Sequence, residues 1–252
     1  MPPAERNIRL LIAYDGTQYQ GWQRQKESPT IQGAIENVLF KITQQPVSLL
    51  GAGRTDSGVH AWGQVANFKT TSPLTTAVMK AALTALLPKD ILIRQVEEVD
   101  PFFHSRFSCR AKVYDYLFCR NTDNNPFIRH YVWFLPEPVD LDLIKSGLSF
   151  LAGEHDFASF QSQGSEVSHS VRTLYQALLL PGLWGCFKLR FMANGFLRHM
   201  VRNMVGTLMR VGSKRISVGE LETIIKSKDR SQAGVMAPAR GLFLRKVFYK
   251  SP

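Results

Sequence analysis

Long apolar runs are missing from this 252-residue chain. No stretch approaches the roughly 18 uninterrupted apolar residues of a membrane span. The opening Met-Pro-Pro-Ala-Glu-Arg lacks the apolar region of a signal peptide. Cysteine is scarce: Cys109, Cys119 and Cys186 form no C-x-x-C pair and leave an odd thiol. That usage fits a reducing compartment, with neither a structural disulfide nor a zinc site. A cytoplasmic protein is therefore expected. Six histidines supply no H-E-x-x-H and no zinc-like spacing with cysteine. His60 and His155 are read as structural. No calcium loop or cofactor fingerprint is present, so an enzyme built this way works with side chains alone. Acidic residues are also in deficit, 20 against 31 Lys and Arg, for a net charge of +11 and a pI near 9.8. A protein this basic usually meets a polyanion. Nucleic acid is the first candidate and an anionic membrane surface the second; the missing membrane signals favour nucleic acid.

A hydrophobic content of 44% and a charged content of 20% are ordinary for a globular chain. The length suits one large domain or two of roughly 100–150 residues. Strand and helix patterns alternate. Strands are expected at Asn7–Tyr14, 47–52, 62–70 and 91–99, with a helix at Ile31–Thr43 capped by Thr30. A second helix is expected at Leu74–Leu87, capped by Ser72 with Pro73 in its first turn. The later half repeats the style, with strands at 111–120, 171–180, 184–192 and 242–249. Its helices are expected at Leu141–Leu151 (capped by Asp140), Phe196–Val211 and 217–226. Two α+β halves follow. The seam falls near Asp100-Pro101, giving halves 1–104 and 105–252. The stretch 161–170, rich in Ser, Gln and Gly, reads as a flap over a ligand.

The segment Gly51-Ala52-Gly53-Arg54-Thr55-Asp56-Ser57-Gly58-Val59-His60-Ala61 carries three glycines, an arginine, an aspartate and a histidine. Glycine-rich chain is costly to order, so such a loop is more often a site than a spacer. It is not a Rossmann fingerprint, because the third glycine falls five residues after Gly53 instead of three. It is not a P-loop either, because Val59-His60 stand where Lys and Ser/Thr are required. What it offers is one carboxylate, Asp56, two residues after one guanidinium, Arg54. In extended chain the two share a face. The pair reads equally well as an aimed, ionised carboxylate or as a surface turn of little consequence.

Basic charge also has a pattern. Phe103-His104-Ser105-Arg106-Phe107 interleaves rings with cations, and Arg110, Lys112, Tyr114 and Tyr116 follow. The mixture suits RNA, where rings and guanidinium planes stack on unpaired bases. It equally suits a strand with one wet face. In the helix from Phe196, Leu197, Val201, Met204, Val205 and Leu208 form a buried stripe. Arg198 and Arg202, four apart, share one face. Either that face is solvated, or one arginine is buried and needs an anion.

Taken in order, the motifs resemble the TruA family of tRNA pseudouridine synthases, which act on positions 38–40. They are Tyr14-Asp15-Gly16-Thr17-x-Tyr19-x-Gly21-Trp22-Gln23, Thr30-Ile31-Gln32-Gly33, and Gly51-Ala52-Gly53-Arg54-Thr55-Asp56-x-Gly58-Val59-His60-Ala61. Then come Phe103-His104-x-Arg106, Tyr114-x-Tyr116, His155-x-Phe157, Asn194-Gly195-Phe196-Leu197, Met200-Val201-Arg202 and Ala237-Pro238-x-x-Gly241-Leu242. The resemblance spans nearly the whole chain. It implies an α+β fold of two similar halves around a central mixed, largely antiparallel sheet with flanking helices, and an active-site cleft between the halves. It implies an isomerase that converts uridine to pseudouridine at positions 38, 39 and 40 of the tRNA anticodon stem-loop. The N1–C1′ bond is broken and the base rejoined through C5. Asp56 matches the catalytic aspartate, Tyr114 the tyrosine against the target base, Arg54 the loop arginine and Arg202 the active-site arginine. The resemblance also implies a homodimer working without cofactor or metal. Ser57 and Ser105 stand where the family often has alanine.

Two other classes compete. A non-catalytic protein binding structured RNA has no need of Asp56, Arg54 and Arg202 together. A glycoside or nucleoside hydrolase usually positions two carboxylates, and no second one stands near Asp56 in sequence.

Overall fold

The computed structural model describes residues 4–120, 125–164, 169–182 and 184–250. The chain divides into two compact units, Met1–Arg110 with Leu244–Pro252, and Ala111–Phe243. Among the described residues no helix is long and apolar enough to cross a membrane.

In the first unit, β1 (Arg6–Tyr14) leads into α1 (Ile31–Thr43), a two-residue β2 (Leu50–Gly51), β3 (His60–Thr70), α2 (Thr76–Leu86) and β4 (Ile91–Val99). β1 is central and antiparallel to both β3 and β4, with Leu10 opposite Ala66 and Val96. Ile8, Leu10 and Ile12 are fully buried with Phe68, Ile31, Ile35 and Leu39, the apolar faces that the two periodicities place inward. α1 begins where the Thr30 side chain accepts from Gly33 N. α2 starts later than expected and on a different cap: Thr75 accepts from Val78 N. The reason lies in Arg6, whose Nη1 donates to the carbonyls of Ser72 (2.9 Å) and Leu74 (2.8 Å). Those acceptors are lost to a helical ladder.

The second unit runs β5 (Ala111–Cys119), β6 (Trp133–Phe134), α3 (Leu141–Leu151), β7 (Gly153–Asp156), β8 (Val171–Pro181), β9 (Phe187–Ala193), α4 (Met200–Gly212), α5 (Val218–Ser227) and the start of β10 (Leu242–Phe248). Strand order is β5-β9-β8-β7, all antiparallel, with β6 parallel to β5. From Leu244 onward β10 belongs to the first unit, beside β3. The α+β class with a mixed, largely antiparallel sheet is as expected. The 161–170 flap falls partly on 165–168, outside the described residues.

Three expectations for this unit are corrected. The helix carrying Arg202 starts at Met200, because His199 takes a left-handed φ of 62° that helix cannot accommodate. β5 has no wet face: Val113 and Asp115 on one side are buried, as are Tyr114, Tyr116 and Phe118 on the other. Asp115 is tolerated there because Arg190, directly across on β9, donates to both its oxygens at 2.7 and 2.8 Å. Finally, Cys119 and Cys186 are joined in a disulfide, Cα–Cα 4.2 Å. Register explains it. Phe118 pairs with Phe187 in antiparallel strands, so the next rung sets 119 opposite 186. A spacing of 67 residues in sequence carries no trace of this.

Candidate active site

Asp56 lies on the loop from β2 to β3, half-buried, with Arg54 exposed two residues earlier. The loop is held from both sides. At its base Gln64, wholly buried on β3, donates to the Gly53 carbonyl at 2.8 Å. Just before Asp56, the Thr55 hydroxyl meets Tyr14 Oη at 2.8 Å, and the Thr55 carbonyl accepts from Trp22 N at 3.0 Å. Just after it, Val59 N closes a turn on the Asp56 carbonyl (3.1 Å), and Gly58 N donates to the Tyr19 carbonyl (3.3 Å). Gly58 has φ +75°, a conformation that glycine adopts at little cost. Burial pushes the Tyr14 phenol above its ordinary range, against the opposing pull of the Thr55 bond, so it keeps its proton.

These contacts show what Tyr14-Asp15-Gly16-Thr17-x-Tyr19-x-Gly21-Trp22 is for: it is the cradle of the Asp56 loop. Two of its glycines are there for close approach. A Cβ on Gly16 would stand 2.0 Å from the Val59 carbonyl oxygen, and one on Gly21 2.5 Å from that of Thr55. His60 closes the far end, fully buried, its Nδ1 accepting from Gly16 N at 3.1 Å beside Asp15 Oδ1. Tyr19 Oη in turn donates to Asp90 Oδ1 at 2.7 Å. Sequence reasoning found the loop and missed the cradle's function, because these partners lie up to 71 residues away.

In the second unit, Arg202 and Arg198 part company. Arg198 is exposed and donates to the Gln163 carbonyl at 2.9 Å. Arg202 is buried on α4, its Nε donating to the Ala237 carbonyl at 2.8 Å. Ala237 N donates back to the Arg202 carbonyl at 3.1 Å. The next residue accepts in turn: Tyr116 Oη donates to the Pro238 carbonyl at 2.8 Å. Burial pushes the Tyr116 phenol upward, against the charges of Arg202 and Arg240. Gly241 completes the clamp, since a Cβ there would stand 2.7 Å from the Leu117 carbonyl oxygen and 2.8 Å from the Tyr116 ring. Gly206 lets the same segment lie on the helix: its Cβ would fall 1.8 Å from the Val235 carbonyl oxygen. Tyr114 is buried on β5, its ring edge-on to Phe196 with centroids 5.0 Å apart.

The sequence-predicted residues thus divide: Asp56 and Arg54 share one loop of the first unit, and Tyr114 and Arg202 belong to the second. Tyr116, one ring of the mixture read as suited to RNA, instead donates to the Pro238 carbonyl, and the 237–241 segment has no role in the sequence reading beyond its place in the resemblance. Their signals were the Tyr114-x-Tyr116 and Ala237-Pro238-x-x-Gly241-Leu242 motifs, whose partners the sequence does not display.

A family model described as tRNA pseudouridine synthase matches residues 10–108 and 149–250. The chain is 41% identical over 244 residues to tRNA pseudouridine synthase A of Thermoanaerobacter sp. (strain X514), covering 97% of this chain and 100% of that protein. It is 42% identical over 244 residues to the protein of the same name from Acetivibrio thermocellus, with the same coverage. With that from Clostridium kluyveri it shares 42% over 245 residues.

Proposed function

The chain belongs to the tRNA pseudouridine synthase family and is an isomerase acting on tRNA; from that premise we propose that it modifies uridines 38, 39 and 40 of the anticodon stem-loop, with Asp56 as the catalytic residue. The observation that carries the assignment is the cradle. A half-buried carboxylate sits on a loop whose backbone is tied down immediately before and after it. That arrangement fixes the acid while leaving it reachable, which positioned catalytic groups require.

The reaction breaks the N1–C1′ bond, keeps the uracil, and rejoins it through C5. Asp56 either adds to C1′ or takes a proton from the ribose. Tyr114 holds the detached ring against water. Arg54, exposed on the same loop, and Arg202 are the cations that face the substrate. The target uridine must first leave its stack, at a cost of a few kcal/mol. Contacts between phosphates and the cations of a chain of net charge +11 offset that cost, so tRNA affinity falls steeply with salt. The reading includes a cytoplasmic homodimer that needs no metal or cofactor. A hydrolase would release free uracil, and this enzyme releases none.

Carbodiimide mapping of pseudouridine tests it. Transfer RNA from cells lacking the protein should lose the modification at 38–40 and regain it on complementation with the wild type but not with Asp56→Asn. The purified variant should still bind tRNA. Modification by the variant above background ends the catalytic assignment, and loss at other positions ends the site assignment.

A further inference from the structure

The ring-and-cation segment Phe103–Phe107 has no part in the reaction just described, and its geometry is unusual. It lies in the connection from β4 to residue 110, within the first unit. Buried amides fasten it to the sheet. Asn7 on β1 donates from Nδ2 to the carbonyls of Asp100 and Phe103, both at 2.9 Å. Asn67 on β3 donates to Asn7 Oδ1 at 2.9 Å and accepts from Ser105 N at 2.9 Å. The Ser105 hydroxyl, fully buried, reaches Asn67 Oδ1 and the Leu50 carbonyl. Tyr249 Oη donates to the Ser105 carbonyl at 2.9 Å. The loop then stiffens itself: Ser108 N donates to the His104 carbonyl, and Arg106 N to His104 Nδ1.

The loop so anchored carries an exposed phenyl ring. Phe107 is 75% exposed. One edge leans on His104, ring centroids 4.4 Å apart, and the Arg106 guanidinium stands 5.6 Å from its centroid. A large apolar ring held in water by a rigid loop contributes little to folding. A ring with a cation beside it, on a basic protein, matches the chemistry of an unpaired nucleobase and its phosphate.

We propose that Phe107 and Arg106 form a stacking platform for an unpaired base of the substrate tRNA, separate from the uridine being isomerised. The inference rests on the tRNA reading above. The platform is fixed before RNA arrives, so little conformational freedom is lost on binding. Phe107 supplies sequence-tolerant stacking, and Arg106 supplies a phosphate contact.

The test is fluorescence anisotropy of a labelled, unmodified tRNA transcript across a salt series, alongside single-turnover pseudouridine formation. Because Phe107 is exposed, its variants keep the wild-type melting curve. Phe107→Ala should weaken tRNA binding about 5- to 100-fold at every salt concentration, leaving the salt slope unchanged. Phe107→Trp should restore it. Arg106→Gln should reduce the slope by about one phosphate contact. Binding by Phe107→Ala within about twofold of wild type overturns the platform. So does equal weakening by the Ala and Trp variants. A changed molar mass in light scattering with tRNA affinity intact assigns the ring to a protein contact and overturns it as well. A wild type that binds tRNA but forms no pseudouridine sinks the enzymatic reading and leaves the stacking measurement readable.

Discussion

Asp56 and Arg202 are held in opposite ways. Asp56 depends on its backbone: the cradle grips the residues on either side of it. Arg202 depends on its own side chain: α4 delivers it, and the Ala237 carbonyl catches its Nε. A loop residue whose neighbours are tied down is positioned through the main chain, and that suits a group that must reach a substrate. A helical residue fixed at its guanidinium is committed to one direction. Both supports rely on a glycine that admits a carbonyl too close for any Cβ, Gly16 in one and Gly206 in the other.

The largest effect that sharpens this contrast is Arg202→Leu. Turnover should fall roughly 100- to 1000-fold, as when one preorganised donor is removed, with tRNA affinity little changed. Equal losses in single-turnover rate and in binding would make Arg202 a binding residue and break the comparison. Next is the pair Gly16→Ala and Gly206→Ala. Each overpacks its contact and should cost about 1–3 kcal/mol, read as a lowered melting temperature. If the supports are separate, the losses add in the double variant; coupling beyond about 0.5 kcal/mol says they are not. Tyr114 separates ring from hydroxyl: Tyr114→Phe should keep most activity and Tyr114→Ala should not, and similar rates for the two dismiss the ring. The smallest effect is Tyr14→Phe. It leaves the buried Thr55 hydroxyl short of one partner and should cost about 1 kcal/mol, with kcat lowered several-fold and KM unmoved.

Much of this was legible where the signal was local. The helices Ile31–Thr43 and Leu141–Leu151 have the expected boundaries and caps, because Thr30 and Asp140 act within three residues of themselves. The late starts of α2 and α4 were illegible for opposite reasons. Arg6 removes carbonyls from a distance of 66 residues, whereas His199 adopts a backbone conformation that its residue type does not advertise. Asp56, Arg54, Tyr114 and Arg202, the proposed site residues, stand within motifs that the sequence displays. Their supports were not legible, since Ala237 works through its main chain and Gln64 and Tyr14 through distant partners that no periodicity encodes. The Cys119–Cys186 pairing and the Asp115–Arg190 ion pair are likewise products of strand register.

The return of residues from Leu244 onward to the first unit has a consequence for biosynthesis. A ribosome completes Met1–Arg110 long before it reaches Tyr249, whose hydroxyl secures the Ser105 carbonyl. At about 5–20 residues per second the intervening stretch takes on the order of ten seconds to emerge. During that interval the nascent domain has its Asp56 loop but not its last anchor, so the final tie on Phe107's loop waits until residue 249 has emerged.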